Sequence, residues 1–120
     1  TLDNLGEKMI GTQRGTTGYI YTSDDYGDDH VTAYDNGASA VQALQNGQVD
    51  CVVIDAAPAE AYVEANPGLT ILDTEYVTEN YAIGVNKDNA ALLDAINGAL
   101  AELTADGTLD TIIGKYITAE

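Results

Sequence analysis

Asp50-Cys51-Val52-Val53-Ile54-Asp55 is the stretch on which the fold turns. Four consecutive apolar residues stand between two acids, without the apolar–polar alternation of a half-exposed strand. Continuous apolar character marks a strand covered on both faces, as in a parallel sheet with helices above and below it. Upstream, Lys8-Met9-Ile10-Gly11-Thr12 reads as a second short buried strand, followed by the loop Gln13-Arg14-Gly15-Thr16-Thr17-Gly18. A helix is predicted from 19 to about 26, with Thr16 or Thr17 able to cap its first amides. Residues 30–34 read as a strand, and Asn36-Gly37 turns the chain into a helix over 38–46, with Val41 and Leu44 inward and Gly47 as its stop. Downstream, Pro58 suits the first turn of a helix whose inner face carries Tyr62 and Val63, closed by Asn66-Pro67-Gly68.

Leu69-Thr70-Ile71-Leu72 and Tyr81-Ala82-Ile83-Gly84-Val85 are two more predicted strands. The pattern then changes period. Leu92, Leu93, Ile96, Ala99, Leu100 and Leu103 recur at helical spacing, with Asp88 or Asn89 available as a cap and Ala105-Asp106-Gly107 as the end. A shorter helix carries Leu109, Ile112, Ile113, Tyr116 and Ile117 on one face. The expected architecture is α/β: a mostly parallel sheet flanked by helices, plus a C-terminal helix pair.

A chain of 120 residues suits one ordinary domain, and 45% apolar with 20% charged residues describes a globular protein. Four Lys or Arg face twenty Asp or Glu, a net charge of −16. That balance excludes a phosphate backbone or an anionic lipid surface as partner, because both are bound by cations. Cys51 is the only cysteine, so no intrachain disulfide and no thiolate zinc cluster is available, and a small packed thiol suits its strand. His30 is also alone, which excludes a catalytic triad or multi-His metal site and leaves a solvated histidine. Asp24-Asp25-Tyr26-Gly27-Asp28-Asp29 lacks the alternating ligands and terminal Glu of a calcium loop and reads as a solvated acidic turn. No apolar run approaches the ~20 residues of a membrane span. The chain starts at Thr1 without a charged leader or apolar signal core, so it is expected to begin after processing or to be cut from something longer.

Ligands of parallel sheets collect at the carboxyl ends of the strands. Two segments there carry chemistry. Gly15-Thr16-Thr17-Gly18 places two hydroxyls ahead of a helix N-terminus, where unpaired amides and the positive end of the helix dipole favour a small anion. It lacks the Gly-Lys-Ser/Thr ending of a phosphate loop, and the plainer alternative is a turn plus cap. Asp55 ends the central strand and precedes a helix. It either caps that helix or offers a carboxylate to an ammonium group. A carboxylate seat beside an ammonium seat describes a free α-amino acid.

Three motifs carry a resemblance: Gly11-Thr12-Gln13-Arg14-Gly15-Thr16-Thr17-Gly18, Val49-Asp50-Cys51-Val52-Val53-Ile54-Asp55 and Ala101-Glu102-Leu103-Thr104-Ala105-Asp106-Gly107-Thr108. In this order and spacing the chain resembles the polar amino-acid solute-binding proteins of ABC transporters, family 3 of the extracellular binding proteins, on the periplasmic-binding-protein type II fold. It resembles half of such a protein. Residues 1–84 correspond to lobe two of a two-lobed clamshell, and 85–120 to the tail that returns to lobe one. The resemblance implies that Thr16 and Thr17 bind the substrate carboxylate through amide and hydroxyl, and that Asp55 accepts the ammonium. Gln13 would touch the ligand side chain, Gly15 and Gly18 of the same loop would also bind the substrate, and Gly18 departs from relatives with a longer side chain there. Arg14 either pairs with an acidic ligand or is solvated, and Tyr19 and Tyr21 are expected to pack.

The function so implied is capture of a free, polar amino acid outside the cytoplasm and its delivery to an ABC permease, with no catalysis, cofactor or metal. Competing readings are a dehydratase-like enzyme on the same scaffold, which would need a general acid or base, and a ligand-sensing receptor domain. The stripe from Leu92 to Ile117 would pack on the missing lobe, so the chain alone is expected to self-associate through its C-terminal helices.

Overall fold

The strand at the centre of the sheet is not the most apolar one. In the computed structural model, which describes residues 1–116, three parallel strands lie in the order β2-β1-β3. They are β1 (Ile10–Gln13), β2 (Val31–Tyr34) and β3 (Cys51–Val53). Ile10 stands opposite both Val31 and Cys51, and Thr12 opposite both Ala33 and Val53. Being paired on both sides, β1 buries Ile10, Gly11 and Thr12, with Ile10 and Thr12 at 0% exposure. β3 has one neighbour, and its residues are half-buried rather than covered on both faces as its sequence led one to expect.

Helices α1 (Thr17–Tyr26), α2 (Gly37–Gln45) and α3 (Ala56–Ala65) follow β1, β2 and β3 in turn. Ala40, Val41, Ala43 and Tyr62 supply the core from α2 and α3. Asn36 caps α2, its side chain accepting a 2.8 Å hydrogen bond from the Ser39 N–H. Short 3-10 turns at Leu2–Glu7 and Asp28–His30 precede β1 and β2; the first buries Leu5 and had no clear sequence signal. His30 is half-buried at the end of its turn with Nδ1 buried and unpartnered, where a solvated ring was expected.

The two later strands do not form. Leu69 makes only an isolated bridge with Pro67, and residues 70–85 join no ladder. Ile71, Leu72, Tyr81 and Ile83 are exposed. Strand preference depends on packing against cross-strand and same-face neighbours, and these side chains have no covering layer.

The chain divides into two compact units, one of Thr1–Tyr76 and one that starts at Val77. The first ends with Tyr76, whose hydroxyl donates to the Asp25 carboxylate and whose ring lies 6.2 Å from that of Tyr26. Burial and then the Asp25 bond push the Tyr76 phenol well above its ordinary range. The second unit holds α4 (Ala90–Ala105) and α5 (Thr108–Tyr116). Asn89, not Asp88, caps α4, accepting from the Leu92 N–H at 3.1 Å. Between the helices the Asp106 carboxylate accepts from the Thr108 N–H at 2.9 Å, and hydrogen bonding from the Thr108 side chain, then from its N–H, holds the Asp106 carboxyl below the usual range. Neither helix buries a residue, and the Ile117 position of the stripe lies outside the described residues.

Candidate functional site

Because β1 and β3 are parallel neighbours, their carboxyl ends open on the same edge of the sheet. The chain leaving β1 turns through Gly15, whose φ of +77° is a left-handed conformation that glycine adopts without strain. It then enters α1. The chain leaving β3 enters α3. Between the two helix starts lies a small cleft of about 60 Å³, lined by Gln13, Thr16, Gly18, Ile54, Asp55 and Pro58.

Thr16 is the N-cap of α1. Its hydroxyl donates to the Gln13 carbonyl at 2.8 Å and accepts from the Tyr19 N–H at 3.3 Å. The Thr16 N–H also points at the Gln13 carbonyl, at 3.4 Å. Thr17 is the first residue of α1 and is exposed. First-turn amides of a helix have no intrahelical acceptor, and the dipole adds partial positive charge there. At Gly18 a Cβ would meet the Val53 carbonyl oxygen at 3.4 Å and Thr16 Oγ1 at 3.7 Å, so α1 starts in contact with the end of β3.

Asp55 occupies the N-cap position of α3, yet its side chain makes no capping hydrogen bond. The capping role that the sequence left open is therefore not taken, and the exposed carboxylate stands at the cleft. Ile54, beside it, brings its Cδ1 to 2.8 Å from where a Cβ at Gly37 would lie.

The sequence-derived candidates separate here. Gln13, Thr16, Gly18 and Asp55 share the cleft; Gly15 and Thr17 belong to the same turn and helix start without lining it. Arg14 is turned to the end of β2, its Nη2 donating to the Ala33 carbonyl at 3.0 Å and its Nε 3.6 Å from Asp35. With side chains this exposed, that pair contributes little to stability. Ile54 and Pro58 are lining residues that the sequence offered only as strand and helix-start positions; their adjacency to Asp55 was the available signal. Cys51 lies at the opposite end of β3, its thiol pushed up by burial and then by Asp50. A larger hollow of about 440 Å³ between α2 and α3 is lined by Asn36, Ser39, Gln42, Gln45, Tyr62 and Asn66, with Ala38 and Val41. It offers neutral donors and acceptors but no charge for an ammonium or carboxylate.

The sequence pattern of the bacterial extracellular solute-binding proteins, family 3, matches residues 24–119. The chain belongs to that family. Among its relatives are the ABC transporter arginine-binding protein 1 of Escherichia coli K12, 35% identical over 97% of this chain, and the lysine/arginine/ornithine-binding periplasmic protein of the same strain, 33% identical over 97%. The chain spans 50% and 48% of their lengths, about half of each. A crystal structure of a mutant ArgBP from T. maritima superposes with a TM-score of 0.77 at 38% identity, over 97% of this chain and 50% of that one. An ancestral arginine-binding protein bound to glutamine gives 0.74 at 39%, over 100% and 54%. The α/β fold of this family 3 chain, a parallel sheet flanked by helices, is thus that of half a periplasmic amino-acid-binding protein. Among the described residues no helix is long and apolar enough to cross a membrane.

Proposed function

We propose that the cleft is one half of a binding site for a free polar amino acid, and that the chain serves amino-acid uptake by an ABC transporter as half of a clamshell. One observation carries this: the Asp55 carboxylate and the N-terminal turn of α1 line the same small cleft. The carboxylate receives the substrate ammonium, and the α1 amides with the Thr17 hydroxyl receive the substrate carboxylate. Gln13 meets the ligand side chain, whose polar character matches the arginine, lysine and ornithine named for the relatives. On this reading residues 1–84 form lobe two, 85–120 return to the other lobe, and closure of the two traps the ligand. The protein works outside the cytoplasm, hands its ligand to a permease and catalyses nothing.

Half a site binds weakly. Without the opposing lobe's contacts and water exclusion, the 120-residue chain is expected to hold arginine or glutamine no more tightly than about millimolar, the ~4 kcal/mol level. In a form carrying both lobes, Asp55→Asn should weaken binding by about 2–4 kcal/mol, because it leaves a buried ammonium without its charged partner. Calorimetry giving wild-type affinity for that variant removes Asp55 from the site.

A further inference from the structure

Both donors that Thr16 could offer a ligand are already engaged. Its hydroxyl proton goes to the Gln13 carbonyl at 2.8 Å, and its N–H faces the same oxygen at 3.4 Å. Its hydroxyl lone pair takes the Tyr19 N–H at 3.3 Å. One side chain thus closes the loop at Gln13 and starts the helix that carries Thr17 and Gly18. Gln13 and Gly18 both line the cleft, on opposite sides of this link.

We propose that Thr16 is a positioning residue: it fixes Gln13, the side-chain seat, relative to Thr17 and the first-turn amides, the carboxylate seat, without donating to the ligand. This rests on the amino-acid-binding reading above and assigns roles within it. A donor held by an internal carbonyl gains little by moving to a ligand oxygen, since one hydrogen bond is exchanged for another. Losing the link frees the loop and the first turn together, and the ordering they then require on binding lowers affinity.

The full 120-residue chain is titrated with L-arginine while amide resonances are followed by NMR, for wild type, Thr16→Ala, Thr16→Asn and Thr17→Ala. Asn caps helices at least as well as Thr but carries no hydroxyl. Thr16→Ala should weaken arginine binding about five- to tenfold, from loss of a cap contact. Thr16→Asn should stay within about threefold of wild type, while Thr17→Ala loses affinity with its helix intact. Before any arginine is added, Thr16→Ala should also speed hydrogen exchange at Tyr19 and shift the Gln13 side-chain amide, and Thr16→Asn should restore the Tyr19 protection. If Thr16→Asn loses as much affinity as Thr16→Ala although Tyr19 stays protected and the Gln13 side-chain amide resonates as in wild type, the hydroxyl touches the ligand and the positioning role is wrong. If arginine and glutamine leave the wild-type Thr17, Gly18 and Asp55 resonances unmoved, the amino-acid reading fails; the ligand-free effects at Tyr19 and Gln13 then still report whether Thr16 links the two.

Discussion

Gly37→Ala is the substitution that best tests how the sheet edge is built. Gly37 is buried at the start of α2, and a Cβ there would lie 2.8 Å from Ile54 Cδ1, 2.9 Å from Tyr62 Oη and 3.0 Å from Tyr62 Cε2. Carbon atoms in optimal contact sit about 3.5–4.0 Å apart, so Ile54 and Tyr62 must each yield by roughly half an ångström or more. Tyr62 is only 8% exposed and cannot swing into solvent. Overpacking of this kind costs about 1–3 kcal/mol. Replacing Gly by Ala in a helix returns up to about 1 kcal/mol, and less at the first position, leaving a net loss of about 1–2 kcal/mol. For a domain of this size that lowers Tm by about 4–10 °C. Gly98→Ala in α4 is the control: a Cβ there meets nothing within 4 Å, so it should stabilise by about 0.4–1 kcal/mol. The double variant with Ile54→Val, which removes Cδ1, should cost less than the sum of the two singles, because the two sites are in contact. Ile54 also lines the cleft beside Asp55, so the strain should reach the candidate site. Differential scanning calorimetry is the assay. A Gly37→Ala protein melting at or above wild type would refute this account of the packing.

Thr12 Oγ1 is fully buried without a hydrogen-bond partner, so Thr12→Val should stabilise the fold by about 1 kcal/mol in urea unfolding; a lower midpoint would mean that the hydroxyl is satisfied. Tyr76 should ionise well above the ordinary phenol range in an alkaline absorbance titration, and Tyr76→Phe should remove that late step. Its folded pKa lies above the unfolded value of about 10, so its contribution to stability is complete below that pH and declines as pH rises toward the folded value. A Tyr76→Phe protein with an unchanged alkaline limb would contradict this. Leu92, Leu93, Ile112 and Ile113 are exposed on α4 and α5, and burying each is worth about 1.5–3 kcal/mol, so light scattering at micromolar concentration is expected to find a dimer or larger assembly; a clean monomer would refute it.

What the sequence determined by itself is local. Asn36 and Asn89 announce helix starts because an Asx side chain satisfies an amide three residues on, an interaction that needs no distant partner. Tyr62 and Val41 face the core because helical spacing puts them there. Asp55 was legible as a carboxylate at a strand end, but its two roles were not separable, since capping and ligand binding call on the same atoms. Tertiary structure shows only that this side chain makes no capping hydrogen bond to α3. It also made β1 the central strand although β3 carries the stronger apolar run, because burial follows the number of neighbours a strand has and not its own hydrophobicity. The strand-like runs after Leu69 stayed out of the sheet for the same reason. Arg14 was adjacent in sequence to the candidate loop, and only the Ala33 carbonyl and Asp35, brought close by the pairing of β1 with β2, turned it elsewhere. The cleft itself exists because two loops some forty residues apart leave parallel neighbouring strands at the same edge, a proximity that hydrogen bonding between chain segments creates and that no local pattern encodes.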